Sequence, residues 1–394
     1  MTGRQRGTRD CCRSPPGSPI HQTSTYHGAM NRRRWDRGAG REIAGSSGPG
    51  AALDTYRVPV LIAMGVIAVG GVALGMTYRS PEPVTEATDE PAVSGEMNRA
   101  FWPDSWWNTP LPDDPPLHPA GDLILDHLRN APENGGGCLR LAGAGTSPWG
   151  QPIYWANSSH PEYEVTGPTY SRPPELDRLR IPLGARPALN NDASMTIYDL
   201  EKGYVTALSG AEYDPHANQW SASGATVTYL RSNGLNVATG RSDDPRNIGS
   251  HRGNNGATMM VSWDMVQAGA VRHVLKVASG PEVAARFVFP MVASDGDYDG
   301  DDPAVPANGL RFRLKPSVDV ESLELGSEAL VIARALQRYG FYIGDSGGST
   351  ALKLENTVAE GRGQLWEVDA DALCALPFTS DYWDVLAEGY DPSE

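Results

Sequence analysis

The sequence predicts an all-β dominated domain, a β-sandwich or jelly roll with a few peripheral helices, preceded by one transmembrane helix. The main evidence lies between Asn191 and Pro290, where short segments alternate apolar and polar residues. A period of two is typical of strands that bury one face. Gly, Asn, Asp, Ser and Pro separate the segments, as in antiparallel sandwiches and jelly rolls. The predicted strands are 195–199, 203–208, 225–230, 258–262, 270–277 and 285–289.

The N-terminal part predicts a membrane anchor. Residues 1–57 are rich in Arg, Gly, Ser and Pro without a hydrophobic period, which is typical of a disordered tail. Residues 58–78 hold no charged side chain, and a helix of that length spans a hydrocarbon core of roughly 30 Å. Residues 1–79 carry a net charge of +7. We therefore expect a single-pass protein of the cell membrane with a cytoplasmic tail and an extracellular body. A cleaved signal peptide is the alternative.

The rest of the chain divides into a linker rich in Pro, Glu and Thr (79–100) and a folded body (101–394). The whole chain carries a net charge of −15 although its N-terminal part is basic, so the body is strongly acidic. Nucleic acid requires clusters of Lys and Arg, and this body is therefore not expected to bind it. In an extracellular body Cys138 and Cys374 could form a disulfide, and two buried free thiols are the alternative.

Helices and further strands are predicted around the central stretch. A short helix over 122–129 and a longer one over 327–339 have apolar stripes at helical spacing. Ser327 is expected to cap the longer helix and Gly340 to end it. A final helix is expected over 380–388. Further strands are expected at 152–155, 163–165, 310–314 and 341–343.

The body opens with three tryptophans, Trp102, Trp106 and Trp107. One interpretation is an aromatic platform for sugar rings. The other is an N-terminal segment that large apolar side chains pin to the sheet.

The segment Gly344–Gly348 matches the nucleophile loop of chymotrypsin-like serine proteases letter for letter. Such a serine needs a histidine base oriented by a carboxylate. That family carries its histidine in an Ala-Ala-His-Cys context, and no histidine of the body has one. We therefore interpret the segment as a Gly-rich turn.

An acidic loop suggests a calcium site. Asp295, Asp297 and Asp299 alternate and Gly300 follows, as at the start of an EF-type loop. The glutamate expected at the twelfth position is replaced by Pro306. Structural calcium held by the three aspartates is therefore one interpretation and a solvated acidic loop the other, and no other cofactor is expected.

Candidate acid and base groups lie on or near the predicted strands. Strand alternation turns His273 inward on 270–277, where it needs a partner such as Asp199 or Asp264. A lone inward histidine is usually a satisfied core residue, but it could also act as a general acid or base. Two carboxylates that flank a bond suit glycoside hydrolysis. The predicted catalytic residues are His273, Asp264, Asp243 and Asp199.

A polysaccharide lyase would instead need a base and a group that neutralises a uronate. His273, Tyr229, Arg252 and Asn255 could supply these groups. Aromatic side chains could also stack on sugar faces. The predicted substrate-binding residues are Trp220, Tyr229, Arg252 and Asn255.

The body resembles a widespread group of secreted bacterial β-rich proteins. The resemblance covers most of 101–350 and departs in the loop 238–256. It implies a secreted β-rich domain with a shared surface around Trp220, Asp243, Asp264 and His273, and it implies no particular activity. The segments that carry it are 106–110, 220–225 with 230–235, 271–275, 309–319 and 335–340.

Together these observations predict a membrane-anchored, extracytoplasmic enzyme that acts on a polysaccharide. Glycoside hydrolysis and β-elimination both remain open, with cell-wall or environmental glycan as the partner. The alternative is a non-catalytic module that binds glycan or supports the cell envelope with the same aromatic residues. This choice rests on fold-level association, and fold alone does not determine function.

Overall fold

A computed structural model describes residues 99–131, 137–145, 147–167, 172–248, 252–253 and 256–394. These residues belong to one unit, Pro81–Glu394. The predicted tail (1–57), the predicted membrane span (58–78) and Asn255 lie outside the described residues. Within the described ranges, none of the helices has the length and apolar character needed to cross a membrane.

The described part of the chain is rich in strands, which confirms the mostly β character that the sequence predicts. Several strands match their predicted positions within one or two residues. The strands are β1 (Arg140–Ala142), β2 (Ile153–Ala156), β3 (Glu162–Tyr163), β4 (Val165–Thr166), β5 (Leu179–Arg180), β6 (Met195–Asp199), β7 (Tyr204–Ser209), β8 (Glu212–Asp214), β9 (Gln219–Ser221), β10 (Gly224–Tyr229), β11 (Leu275–Ser279), β12 (Ala284–Phe287), β13 (Ala307–Asn308), β14 (Arg311–Leu314), β15 (Phe341–Ser346), β16 (Ala351–Lys353) and β17 (Trp383–Val385).

The α-helices of the described ranges are α1 (Gly121–Asn130), α2 (Trp263–Gln267) and α3 (Ser327–Arg338). The two helices predicted over 122–129 and 327–339 are therefore confirmed. Each buries one apolar stripe, which in α1 contains Ile124 and Leu128. Gly340 follows α3 with φ +71°, as a residue that ends a helix in the left-handed region should. The N-cap position belongs to Gly326, so the capping role predicted for Ser327 is wrong.

The larger sheet has six strands in the order β1-β16-β11-β15-β14-β17. β1 pairs with β16 and β11 pairs with β15 in parallel, whereas the other pairs are antiparallel. The helix α3 packs against β14. Phe312 and Phe341 stack between sheet and helix, with ring centroids 4.7 Å apart. This is the main apolar core.

A second sheet has four strands in the order β10-β7-β6-β2. β6, β7 and β10 form an antiparallel meander, and β2 joins β6 in parallel as an edge strand. One apolar cluster contains Ile197 and Leu208, and a separate smaller one contains Tyr198 and Val205. Ile197 and Tyr198 are neighbours on β6 and therefore point to opposite faces of the sheet. Since each belongs to a different apolar cluster, β6 is buried on both faces.

The expectation of antiparallel sheets is corrected by the structure, since both larger sheets are mixed. The reason is physical. Apolar alternation reports which face of a strand is buried, but it carries no information on the direction of the neighbouring strand.

For two segments, the sequence predicted the wrong type of secondary structure. Residues 258–262 were expected as a strand, but Gly256–Met259 forms a 3-10 helix and Ser262 then caps α2. Residues 380–388 were expected as a helix, but they contain β17, which pairs with β14. A tertiary partner strand decides the conformation there, because short apolar runs fit either type. In a third segment, 270–277, the strand begins only at Leu275.

The N-terminal tryptophans and the cysteines stabilise the body. Trp106 and Trp107 are only 1% exposed and pack edge-on against Tyr342, so they act as the predicted apolar pin. Trp102 differs, since 41% of its surface is exposed. Cys138 and Cys374 are joined in a disulfide whose Cα atoms lie 5.0 Å apart. This bond ties the segment before β1 to the C-terminal region.

Candidate functional site

The candidate site is a cleft of about 670 Å³ beside the C-terminal end of β15. We call it the Asp295 cleft. Its walls come from the last turn of α1, the turn after β11 and the acidic loop that the sequence linked to calcium. The polar side chains on the walls are His127, Asn130, Glu282, Asp295, Asp297 and Ser346.

Four charged side chains form an ion-pair network at the edge of this cleft. Arg252 Nη1 lies 2.7 Å from Asp295 Oδ2 and 2.5 Å from Asp345 Oδ1. Lys276 Nζ lies 2.8 Å from the other oxygen of Asp345. Two cations therefore balance two carboxylates. None of the four side chains is more than 22% exposed, so the network is largely desolvated.

An irregularity in the sheet positions Asp345. β11 and β15 run in register from Leu275 to Val277, and then Ala278 pairs with Asp345, so that Gly344 has no partner. Such a bulge redirects the side chains that follow it. A Cβ atom on Gly344 would lie 2.8 Å from Tyr342 Cε2 and 2.9 Å from Lys276 Cγ. Glycine is therefore needed for Lys276 to pass beside β15 and reach Asp345.

The network sets the protonation of Asp345. Burial raises the pKa of its carboxyl, but the charges of Lys276 and Arg252 lower it more, and the net pKa lies well below the usual range. Asp345 is therefore a carboxylate at neutral pH. A carboxyl group held in this way is a poor proton donor, so it serves to position Arg252 and Lys276.

Asp295 is oriented on both of its oxygens. Oδ2 accepts hydrogen bonds from the backbone N–H and the hydroxyl of Ser346, both at 3.0 Å. Oδ1 accepts one from Asn308 Nδ2 at 2.8 Å. Together with Arg252, these bonds hold the carboxylate in one orientation at the cleft wall, which is the preorganisation that specific recognition requires.

Three buried polar atoms near the network have no hydrogen-bond partner among the described protein atoms. They are Arg252 Nε, Asn308 Oδ1 and the Tyr342 hydroxyl. Buried polar groups are otherwise nearly always paired. The site therefore retains hydrogen-bonding capacity beyond the ion pairs.

The residues predicted as catalytic do not meet in this cleft or with each other. Asp199 is fully buried, where it lies 3.4 Å from Arg180 and accepts from the Lys202 backbone N–H at 2.9 Å. His273 is 1% exposed, and its Nδ1 contacts the Val274 carbonyl oxygen at 2.8 Å. Burial lowers the His273 pKa to about 4. The imidazole is therefore neutral and enclosed at physiological pH.

The other two predicted catalytic carboxylates lie elsewhere on the surface. Asp264 is on α2, and its carboxylate pairs with Arg362 at 3.3 Å. Asp243 accepts from Trp102 Nε1 at 2.9 Å and from the Asn233 backbone N–H at 2.8 Å. Each carboxylate has its own partners, so the convergence that the sequence suggested is absent among these described residues.

The predicted substrate-binding residues are also dispersed. Trp220 is 4% exposed and packs beside Tyr213 on a separate pocket of about 410 Å³. Tyr229 donates to Glu175 at 2.5 Å, and the Arg246 guanidinium lies 3.4 Å above its ring. Of the predicted substrate-binding residues inside the described ranges, Arg252 lies beside the Asp295 cleft, where it pairs with Asp295 on the cleft wall.

The calcium interpretation gains no support. Within the described ranges, no group of three or more His, Cys, Asp or Glu side chains is arranged to hold a metal ion. The oxygens of Asp295 are engaged by Arg252, Ser346 and Asn308, whereas Asp297 and Asp299 are exposed. The acidic loop serves instead as one wall of the cleft.

Sequence reasoning missed Lys276, Asp345 and Ser346. Ser346 lies in the protease-like motif, yet its hydroxyl donates to Asp295, so it has none of the histidine activation that a nucleophilic serine requires. The motif is a strand end with a bulge, not a protease loop. The available signals were the Gly-Asp-Ser motif and the acidic loop that contains Asp295. The sequence alone does not show that these two segments are adjacent in the fold.

Comparison with protein-family models, with curated proteins and with solved structures finds no match to this chain. The resemblance to secreted bacterial proteins therefore stays a prediction.

Proposed function

We propose that this chain is a membrane-anchored protein whose extracytoplasmic body binds a polysaccharide in the Asp295 cleft. The observation that carries the proposal is the set of polar groups around the cleft, among which Asp295 is held in one orientation. Carboxylate, amide and imidazole groups at its walls can accept from or donate to the hydroxyls of a sugar.

The size and character of the cleft support a small polar ligand. Its volume falls in the range of roughly 300–1,000 Å³ that is common for ligand sites. Glu282, Asp295 and Asp297 make the walls acidic, which disfavours an anionic glycan and favours a neutral or amino sugar. The adjoining ion pairs hold the wall rigid, so little conformational entropy is lost on binding.

Binding is favoured over catalysis by the same observations. A hydrolase requires an acid and a second carboxylate near the bond. Asp295 is tied to Arg252, the other wall carboxyl groups of Glu282 and Asp297 are exposed to solvent, and the predicted catalytic residues have other partners. Hydrolysis or elimination thus stays a separate prediction. Mass spectrometry of soluble products after incubation with a polysaccharide panel would reveal either reaction.

The direct test is affinity electrophoresis of the purified full-length chain against bacterial and plant polysaccharides. We expect retardation by at least one neutral polymer. The substitution Asp297→Asn should weaken that binding about tenfold, because hydrogen bonds to charged groups are worth roughly 1.5–3 kcal/mol.

The matched control is Asp299→Asn, which changes an exposed carboxylate of the same loop that is not on the cleft wall. This variant should bind within about twofold of the unaltered chain. Equal weakening by both substitutions, or no binding across the panel, would contradict the proposal.

A further inference from the structure

A second cluster of charged groups lies away from the Asp295 cleft, where the two larger sheets meet. The segment after β16 runs alongside the start of β2, and Glu355 forms a parallel bridge with Gln151. Glu355 and Glu360 turn inward from this segment, and each of their side chains is only 4% exposed. We call Glu355, Glu360 and Arg362 the carboxyl clasp.

The clasp contacts the four-stranded sheet and a helix. Glu360 Oε1 accepts from the backbone N–H of Ile153 on β2 at 2.7 Å. Glu355 Oε2 accepts from the backbone N–H of Trp263 at the start of α2, also at 2.7 Å. Each carboxyl group thus accepts a hydrogen bond from the backbone of a different element, Glu360 from β2 and Glu355 from α2.

One guanidinium nitrogen lies between the two carboxyl groups. Arg362 Nη1 is 2.8 Å from Glu355 Oε1 and 3.1 Å from Glu360 Oε2. Two buried carboxylates therefore share a single cation, and the site carries an excess negative charge if both are ionised.

The other groups that face the pair do not remove this excess. Asp264 on α2 adds a third carboxylate, which is half exposed and also pairs with Arg362. Tyr154 on β2 and Tyr198 on β6 lie close enough to feel the charges of Glu360 and Glu355 respectively. Burial raises the pKa of both tyrosines, so they contribute no cation and stay neutral.

We propose that Glu355 and Glu360 share one proton in the folded protein and act as a pH-sensitive clasp that holds β2 against the segment following β16. Loss of the proton to solvent leaves two buried anions beside one guanidinium. Their repulsion then weakens the hold on the Ile153 and Trp263 amides.

The direction of the pH effect follows from linkage. Burial, and then the charge of Glu355, raise the pKa of Glu360 to about 8. The folded state then binds more protons than the unfolded chain between the ordinary glutamate pKa of about 4.3 and that value. Stability from the clasp is therefore complete below this window and is lost as the pH rises through it.

The test is thermal unfolding of the full-length chain in one detergent-containing buffer series from pH 6 to pH 9. We expect the melting temperature of the unaltered protein to fall by roughly 4 °C over this range. Glu360→Gln keeps the shape and an acceptor for Ile153 but cannot ionise. The melting temperature of this variant should therefore change little between pH 6 and pH 9. Asp264→Asn alters the exposed carboxylate that pairs with the same arginine. The melting temperature of this variant should fall with pH as it does in the unaltered protein.

A second measurement reports the proton itself and does not depend on a folded variant. Infrared difference spectra of the unaltered protein between pH 6 and pH 9 should contain the band of a protonated carboxylic acid. Hydrogen exchange, corrected for intrinsic pH dependence, should accelerate in peptides that contain Ile153 and Trp263. The proposal is overturned by an unchanged band, by exchange that does not respond to pH in those peptides, or by Glu360→Gln melting with the full pH dependence.

Discussion

The ion-pair network beside the Asp295 cleft and the carboxyl clasp are both desolvated clusters of charge, yet they hold their protons differently. In the network, Arg252 and Lys276 balance Asp295 and Asp345, and the pKa of Asp345 is lowered. In the clasp, one arginine serves two buried glutamates, and the pKa of Glu360 is raised. Burial alone raises the pKa of any carboxyl group. The difference between these two groups follows the local count of cations, which is two for two carboxyl groups in the network and one for two in the clasp.

The largest expected effect comes from breaking the balance in the cleft. Arg252→Met leaves Asp295 and Asp345 without their shared cation. We expect the free energy of unfolding to fall by about 3 kcal/mol, since removing one partner strands a buried charge. Urea unfolding of the full-length chain measures this change.

The control for this variant is Arg286→Met, which removes an exposed pair with Glu388 and should cost less than about 1 kcal/mol. Adding Asp345→Asn to Arg252→Met should restore part of the loss. Strict additivity of the two substitutions would contradict the charge-balance argument.

The next largest effect tests how the sheet builds the cleft. Gly344→Ala places a methyl group against Tyr342 and Lys276 at the bulge. We expect a cost of roughly 1–3 kcal/mol from overpacking, with weaker glycan binding because Lys276 can no longer reach Asp345. Thermal unfolding and affinity electrophoresis measure the two effects. Gly348→Ala, where no atom lies within 4 Å of the added Cβ, should leave both unchanged.

The smallest effect separates the two clusters by pH. Since the pKa of Asp345 is lowered by folding, its stabilisation is present above its unfolded pKa of about 3.9 and is lost as the pH falls below that value. Asp345→Asn should therefore cost about 2 kcal/mol at pH 7, and the difference from the unaltered protein should shrink towards pH 3. The clasp loses stability at the opposite, alkaline side. Denaturant unfolding at several pH values measures both the acid loss of stability expected from Asp345 and the alkaline loss expected from the clasp. A constant difference at all pH values would mean that Asp345 acts through packing instead of charge.

Local sequence patterns correctly predicted the helices and strands whose conformation depends mainly on their own residues. The helices α1 and α3 appear at the expected places because each buries one apolar stripe. The strands β6, β7 and β10 also appear where alternating residues bounded by turn residues predicted them, although β6 is buried along its whole length. The segment 258–262 was misassigned because a short apolar run fits a strand or a helix equally well. β17 was missed because its conformation depends on pairing with β14, far away in the sequence.

The site was predicted only in fragments. Arg252, Asp295 and Asp297 were each selected, but for two different roles. His273 was selected because strand alternation turned it inward, and Asp199 because its carboxylate lay near the strands. The structure buries both, each beside local backbone groups. No local pattern distinguishes a buried His or Asp with local backbone partners from a catalytic one.

The sequence alone determined the mostly β character, the acidic surface of the body, the cysteine pair available for a disulfide and the positions of the long periodic elements. Each of these depends on composition or on neighbours within a few residues. Tertiary structure decided which charges meet, since Arg252 and Asp345 are 93 residues apart and Lys276 and Asp345 are 69 apart. Strand order, strand direction and one bulge bring them together, and these depend on contacts across the whole body that no local pattern encodes.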